Sequence, residues 1–198
     1  MFKNTTNSNQ IKNLIVLLVI VTMGFSHPVV KNLDIERFMG RWYVISIIPN
    51  WFEDGKNAYD DYVLNPDGTV GVTYYAIKNG EVKTLKQKGY VNKDEPARWE
   101  VQIVKPYIPF YRAPYEVIIL EENYSYMVVG YPDNSLGWIM SRTPIMDETI
   151  YTGILNQLEN DFGYDQTLFE KVIHDIKWNI YSTYLTFLDS NFVGGHVY

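Results

Sequence analysis

Gly40-Arg41-Trp42-Tyr43-Val44-Ile45-Ser46-Ile47-Ile48, answered late in the chain by Trp138-Ile139-Met140-Ser141-Arg142, is the pair of stretches on which the fold turns. In the first stretch Trp42, Val44, Ser46 and Ile48 share one face by the period of two that a strand imposes, and Tyr43, Ile45 and Ile47 share the other. Both faces are largely apolar, as expected of a strand lying between a barrel interior and a packed outer layer. Gly40 has no Cβ and lets another backbone approach closely. An arginine at the end of the last strand can lay its guanidinium on the Trp42 indole, a contact worth roughly 0.5–2 kcal/mol. First and last strands meet in this way only if the sheet closes on itself.

Working outward, turn-bounded apolar segments fall at 59–64, 70–77, 82–91, 98–104, 115–120, 126–131 and 136–142. Asn65-Pro66-Asp67-Gly68 and Lys78-Asn79-Gly80-Glu81 are tight-turn signals between them. With the first stretch this makes eight strands on short links. The spacing predicts an all-β protein, an eight-stranded antiparallel up-and-down β-barrel. Asp34 is placed to cap one helical turn before Gly40. After Pro144 the period changes. Asp147 can cap a helix over 147–162, Ile150, Ile154, Leu155, Leu158 and Phe162 form an apolar stripe, and Gly163 can stop it. One such C-terminal α-helix belongs against the outside of the barrel, with a short strand at 168–173 after it.

The chain has 198 residues, 16% aromatic, with 17 tyrosines and no cysteine. Residues 1–26 combine Lys3 and Lys12, an apolar run over 14–21 and small residues at Gly24 and Ser26, which reads as a secretory signal peptide; an uncleaved N-terminal anchor is the alternative. Residues 27–175 then hold the barrel, and 176–198 form an aromatic C-terminal extension. Cleavage removes two lysines and no acids, leaving 15 Lys+Arg against 23 Asp+Glu, a formal −8. Such a surface repels nucleic acid, so no nucleic-acid partner is expected. Without cysteine there is no thiol nucleophile and no site for a covalent lipid anchor. The protein is expected to be exported, periplasmic or secreted, and soluble after signal cleavage. His27, His174 and His196 lack metal-ligand spacing. Nor is there a nucleophile elbow or a phosphate-binding glycine loop. No catalytic residue, no metal and no cofactor is expected. In the extension Trp178, Tyr181, Leu185 and Leu188 can share a helical face, which would dock on the barrel or pair two chains as a homodimer.

These residues resemble the lipocalin family, most closely the bacterial outer-membrane lipocalins, with apolipoprotein D and the plant temperature-induced lipocalins alongside. Leu33-Asp34-Ile35-Glu36-Arg37-Phe38-Met39-Gly40-Arg41-Trp42-Tyr43 is similar to the family's first signature, and Trp138-Ile139-Met140-Ser141-Arg142-Thr143-Pro144 to its third. Phe162-Gly163-Tyr164-Asp165 and the Pro109-Phe110-Tyr111 loop also have that branch's look. The middle signature is weaker: Glu122-Asn123-Tyr124 stands where the family has Thr-Asp-Tyr, so Tyr124 alone carries over. The resemblance implies a structural role for Gly40, Trp42, Tyr124 and Arg142. It also implies a lipophilic ligand, a fatty acid or lysophospholipid, held in the barrel. The bacterial members' anchoring cysteine is absent here, so outer-membrane attachment does not carry over.

Counting strand connections alternately puts the links at 49–56, 78–81, 105–114 and 132–135 at one end, opposite Trp42 and Arg142. Trp51, Phe52, Tyr107, Phe110 and Tyr111 make that end aromatic, as suits the mouth of an apolar pocket. Arg112 is the cation placed there to meet an anionic head group, or else a solvated loop charge. Val44, Ser46, Ile48, Tyr62, Tyr74, Val101, Ile103, Val117, Ile119 and Met140 are the expected wall, unless a bulge reverses a strand. Asp60 and Asp61 are adjacent, so one faces inward, where a carboxylate needs a partner that the sequence does not name.

Overall fold

The computed structural model describes residues 26–107 and 111–175. Phe110, the expected signal peptide up to residue 25 and the expected extension at 176–198 lie outside the described residues. Helix α1 (Ile35–Phe38) leads into eight strands: β1 (Gly40–Ile47), β2 (Lys56–Leu64), β3 (Val70–Lys78), β4 (Glu81–Val91), β5 (Arg98–Lys105), β6 (Ala113–Leu120), β7 (Tyr126–Gly130) and β8 (Gly137–Ser141). Each pairs antiparallel with the next, and β8 pairs back onto β1, so the barrel is closed. Helix α2 (Glu148–Phe162), a 3-10 turn (Gln166–Leu168) and the two-residue β9 (Glu170–Lys171) follow.

Local chemistry sets the ends of these elements. The Asp34 carboxylate accepts the Glu36 and Arg37 N–H groups, and Asp147 does the same for Thr149 and Ile150. Gly163, at φ 71°, ends α2 in the left-handed region that favours glycine. In the β2–β3 turn the Asn65 N–H donates to the Thr69 carbonyl at 2.8 Å.

Apolar side chains separate into an inner and an outer cluster. Phe38, Trp42, Val44, Tyr62, Val72, Tyr74, Trp99, Ile103, Val117, Met127, Val129 and Met140 fill the barrel. Tyr43, Ile45, Tyr59, Val128 and Ile139 face outward and meet Tyr151, Ile154 and Leu158 of α2. Ile150, expected on the buried stripe of the helix, is exposed, and Tyr151 takes that role.

Two bulges correct the expected wall. The β1–β8 register shifts between Val44 and Ser46, which turns the rest of β1 over. Ile47 therefore points inward, while Ser46 and Ile48, both expected to line the interior, lie on the outer side. Ser46 Oγ donates to the Glu170 carbonyl at 2.9 Å and accepts from the Tyr151 hydroxyl at 3.1 Å. A second shift in the β6–β7 register, between Val117 and Ile119, leaves Ile119 with Ile118 in the outer cluster rather than inside. The first bulge also shapes the barrel's edge. β1 pairs with β2 over Gly40–Tyr43, then parts from it and pairs with β9 through Ser46 and Ile47. The chain around β9 fills the space between them: the Val172 N–H donates to the Ile45 carbonyl at 2.9 Å and the Asn57 N–H to the Ile173 carbonyl at 2.8 Å.

An N-terminal strap closes the other side. The Val30 N–H donates to the Val117 carbonyl at 3.0 Å. Glu116, only 2% exposed, takes the His27 N–H at 3.1 Å, meets His27 Nδ1 at 3.0 Å and pairs with Arg98. The His27 ring stacks on Tyr164 at 5.5 Å.

Candidate functional site

One barrel end is shut by aromatic packing. Phe38 sits 5.5 Å from the Trp42 ring and 5.5 Å from Trp99, and Tyr62 packs edge-on to Phe38 at 5.7 Å. Trp42 Nε1–H donates to the Phe38 carbonyl at 2.8 Å. Arg142 lies over the indole, its Cζ 3.7 Å from the ring centroid. Its guanidinium donates to the carbonyls of Arg41 (2.8 Å), Arg37 (2.9 Å), Phe38 (3.2 Å) and Tyr124 (3.3 Å). Gly40 stands at φ 92°, and a Cβ there would lie 3.5 Å from Arg142 Nη1. The Tyr124 hydroxyl accepts the Asp34 N–H at 2.9 Å, and Arg37 covers its ring at 4.1 Å. All four signature residues thus tie α1, β1 and β8 into one plug.

Above the plug lies a cavity of about 360 Å³ that opens at the opposite end. Its floor carries the Tyr62 and Tyr115 hydroxyls, 2.9 Å apart. Val72, Leu85, Val101, Ile103, Val129 and Met140 form an apolar wall, and Asn50 to Glu53, Tyr111, Tyr131 and Leu136 form the rim. Trp51 and Phe52 stack at 3.6 Å with Trp51 out in solvent, 77% exposed. Of the residues expected at the site, Trp51, Phe52, Tyr62, Val101, Ile103, Tyr111 and Met140 line this cavity. Val44, Tyr74 and Val117 are buried in the inner cluster without lining it. Tyr107 is 67% exposed and stands apart from the cavity.

Arg112 requires a correction. It does not line the cavity: its guanidinium covers the Tyr90 ring at 3.7 Å and pairs with Glu100 at 3.2 Å. Tyr90 and Glu100 occupy one register position on β4 and β5. The arginine has a rung of the wall to pack on there, and an aromatic face with a carboxylate beside it holds a guanidinium in place.

Charge inside the cup is acidic. Asp60 is the inward member of its pair, 5% exposed, while Asp61 forms a two-pronged pair with Arg41 at 2.8 and 2.9 Å. Glu53, 8% exposed, also lines the cavity; Trp138 Nε1–H donates to one of its oxygens at 2.7 Å and Gln87 Nε2–H to the other at 3.1 Å. Burial raises the Glu53 pKa, and the two donors oppose that rise. Asp60 is pushed well up by burial and then by the charges of Glu53 and Asp61, with the Tyr62 hydrogen bond acting the other way. Asp60 Oδ1 and Asn50 Nδ2 are buried without hydrogen-bond partners. Sequence reasoning passed over Glu53, Gln87, Tyr115 and Trp138. Period two would have found Trp138 beside Met140 and Tyr115 beside Val117. Glu53 sits in an irregular loop and carries no such signal.

Comparison with known proteins agrees with this architecture. A family model described as a lipocalin-like domain matches residues 33–174. Temperature-induced lipocalin-1 of Arabidopsis thaliana is 35% identical over 145 residues, covering 69% of this chain and 77% of the plant protein. The outer membrane lipoprotein Blc of Vibrio cholerae is 31% identical over 144 residues, covering 69% and 80%. Insecticyanin from the tobacco hornworm Manduca sexta shares the fold at TM-score 0.59 and 16% identity, covering 78% of this chain and 89% of that one. Sequence, plug and closed barrel converge, and the chain belongs to the lipocalin family.

Proposed function

We propose that this protein binds and carries one single-chain lipid, a fatty acid or a lysophospholipid, in the barrel cavity. The observation that carries the reading is a cup of about 360 Å³, closed by the Trp42–Arg142 plug and open at an aromatic rim. That volume falls in the range of small-molecule sites. Each methylene drawn from water into the apolar wall contributes about 0.8 kcal/mol. Between the two lipids the cup favours the lysophospholipid, chain inward and head group outside. Arg112 is engaged with Glu100 and Tyr90, and no basic side chain among the described residues lines the cavity, so a fatty-acid carboxylate has no cation to meet. Binding and carriage, not catalysis, is the role that the family generally has. The setting that goes with residues 1–26 is an exported one, periplasmic or secreted. Among the described residues no helix is long and apolar enough to cross a membrane.

The test is native mass spectrometry of protein purified from its own compartment, followed by solvent extraction of what is bound. A stoichiometric single-chain lipid supports the proposal. An empty barrel that also ignores added fatty acid and lysophospholipid refutes it.

A further inference from the structure

Asp60 has a buried oxygen with no hydrogen-bond partner, and it lines the cavity together with two more carboxylates, Glu53 and Asp133. No lysine, arginine or histidine among the described residues joins them there, whereas seven aromatic rings do, Trp51, Tyr115 and Trp138 among them. Each feature alone is ordinary. Together they describe the complement of one kind of ligand. A buried carboxylate oxygen without a donor costs free energy that an entering N–H group would recover. Neighbouring carboxylates strengthen a site for positive charge, and aromatic faces attract an ammonium within about 6 Å. The Val101, Ile103, Val129 and Met140 wall demands that the rest of the ligand be apolar.

We propose that the cup is selective for lipophilic primary amines, with the protonated amine donating to Asp60 Oδ1 beside Glu53 and the hydrocarbon body against the apolar wall. The inference rests on reading the cavity as a ligand site and goes beyond the single-chain lipid reading, since it places a cationic head group inside the cup at Asp60 where that reading leaves the head group outside. Glu53 already accepts from Trp138 and Gln87. It supplies field more than a bond. Asp60 supplies the bond.

The groups that face Asp60 set the pH dependence: Glu53 from the rim loop, Tyr62 from its own strand, and Tyr74 and Tyr115 from β3 and β6, with Asp61, paired to Arg41 on the other face, acting only through its charge. Burial pushes the three tyrosine hydroxyls up and keeps them neutral, so the charge lost as the pH falls is that of the Asp60 and Glu53 carboxyls, and losing it weakens the hold on an ammonium. A ligand that needed a protonated carboxyl as donor would show the opposite trend.

The experiment uses the full chain and three ligands of equal chain length, dodecylamine, dodecanol and dodecanoate, below their aggregation limits. Each is titrated against displacement of the neutral dye Nile red and by calorimetry. At pH 7.5 the amine should bind about tenfold tighter than the alcohol, and tighter still than the acid, a charge-assisted gain of about 1.4 kcal/mol. The preference should shrink as the pH falls. Asp60→Asn should bring amine and alcohol to similar affinity, while Arg112→Ala, outside the cavity, should keep the wild-type preference. Binding of Nile red and the alcohol with no amine preference, or a preference untouched by Asp60→Asn, overturns this inference and leaves the cup standing. Failure to bind dye and all three ligands overturns the cup itself.

Discussion

Replacing Arg142 with alanine tests whether the closed end of the barrel is held as the geometry indicates. The guanidinium lies 3.7 Å from the centre of the Trp42 ring, and two of its donor contacts are short, 2.8 Å to the Arg41 carbonyl and 2.9 Å to the Arg37 carbonyl. The cation–π contact is worth about 1 kcal/mol at this partly buried site. Each short charged hydrogen bond adds about 1 kcal/mol once partial solvation is allowed for, and the longer pair at 3.2 and 3.3 Å adds little. The sum is about 3 kcal/mol. In a chain of this size that lowers the Tm by roughly 10 °C. Urea unfolding followed by tryptophan fluorescence measures the loss directly. Arg142→Lys should recover about a third, because an ammonium keeps the charge but lacks the planar fork. A double-mutant cycle with Trp42→Leu should show a coupling of about 1 kcal/mol. An Arg142→Ala protein within about 0.5 kcal/mol of wild type, or a cycle with no coupling, would refute the argument.

Four more predictions come from other parts of the molecule. Glu116→Ala removes the buried acceptor of the His27 N–H, while Arg98 keeps Glu95 and the His27 carbonyl; it should cost about 1–3 kcal/mol and expose the strap at residues 26–30 to protease. Gly137→Ala would bring a Cβ to 2.8 Å from Phe169 Cζ and should destabilise by about 1–3 kcal/mol in chemical denaturation. Gly153→Ala in α2, where a Cβ meets nothing within 4 Å, should instead stabilise by about 0.5–1 kcal/mol. Asp60 binds its proton more tightly in the folded than in the unfolded chain, so its contribution to stability declines as pH rises from its unfolded pKa toward the raised folded one. Asp60→Asn should therefore be more stable than wild type at neutral pH, and the gain should fade in acid; thermal melts across that range that ran parallel would contradict this.

Much of the architecture is written in local chemistry. Period two in Val70 to Ile77, the Asn65-Pro66-Asp67-Gly68 turn, the Asp34 and Asp147 caps and the Gly163 stop each act over a few residues, so sequence alone determined the barrel, its helix and the Trp42–Arg142 plug. The rim followed from strand order, since alternate links of a meander share an end. Tertiary structure decided what local rules do not reach. The bulges after Val44 and Val117 reversed Ser46, Ile48 and Ile119, because a single extra residue exchanges the two faces and is chosen by how the neighbouring strand, β9 and α2 pack. Arg112 left the mouth for Glu100 and Tyr90 because partners three-dimensionally adjacent to it are distant in sequence. Asp60 and Glu53 met inside the cup for the same reason: one lies on a strand and one in an aperiodic loop, and only closure of the sheet encloses both carboxylates in one cavity.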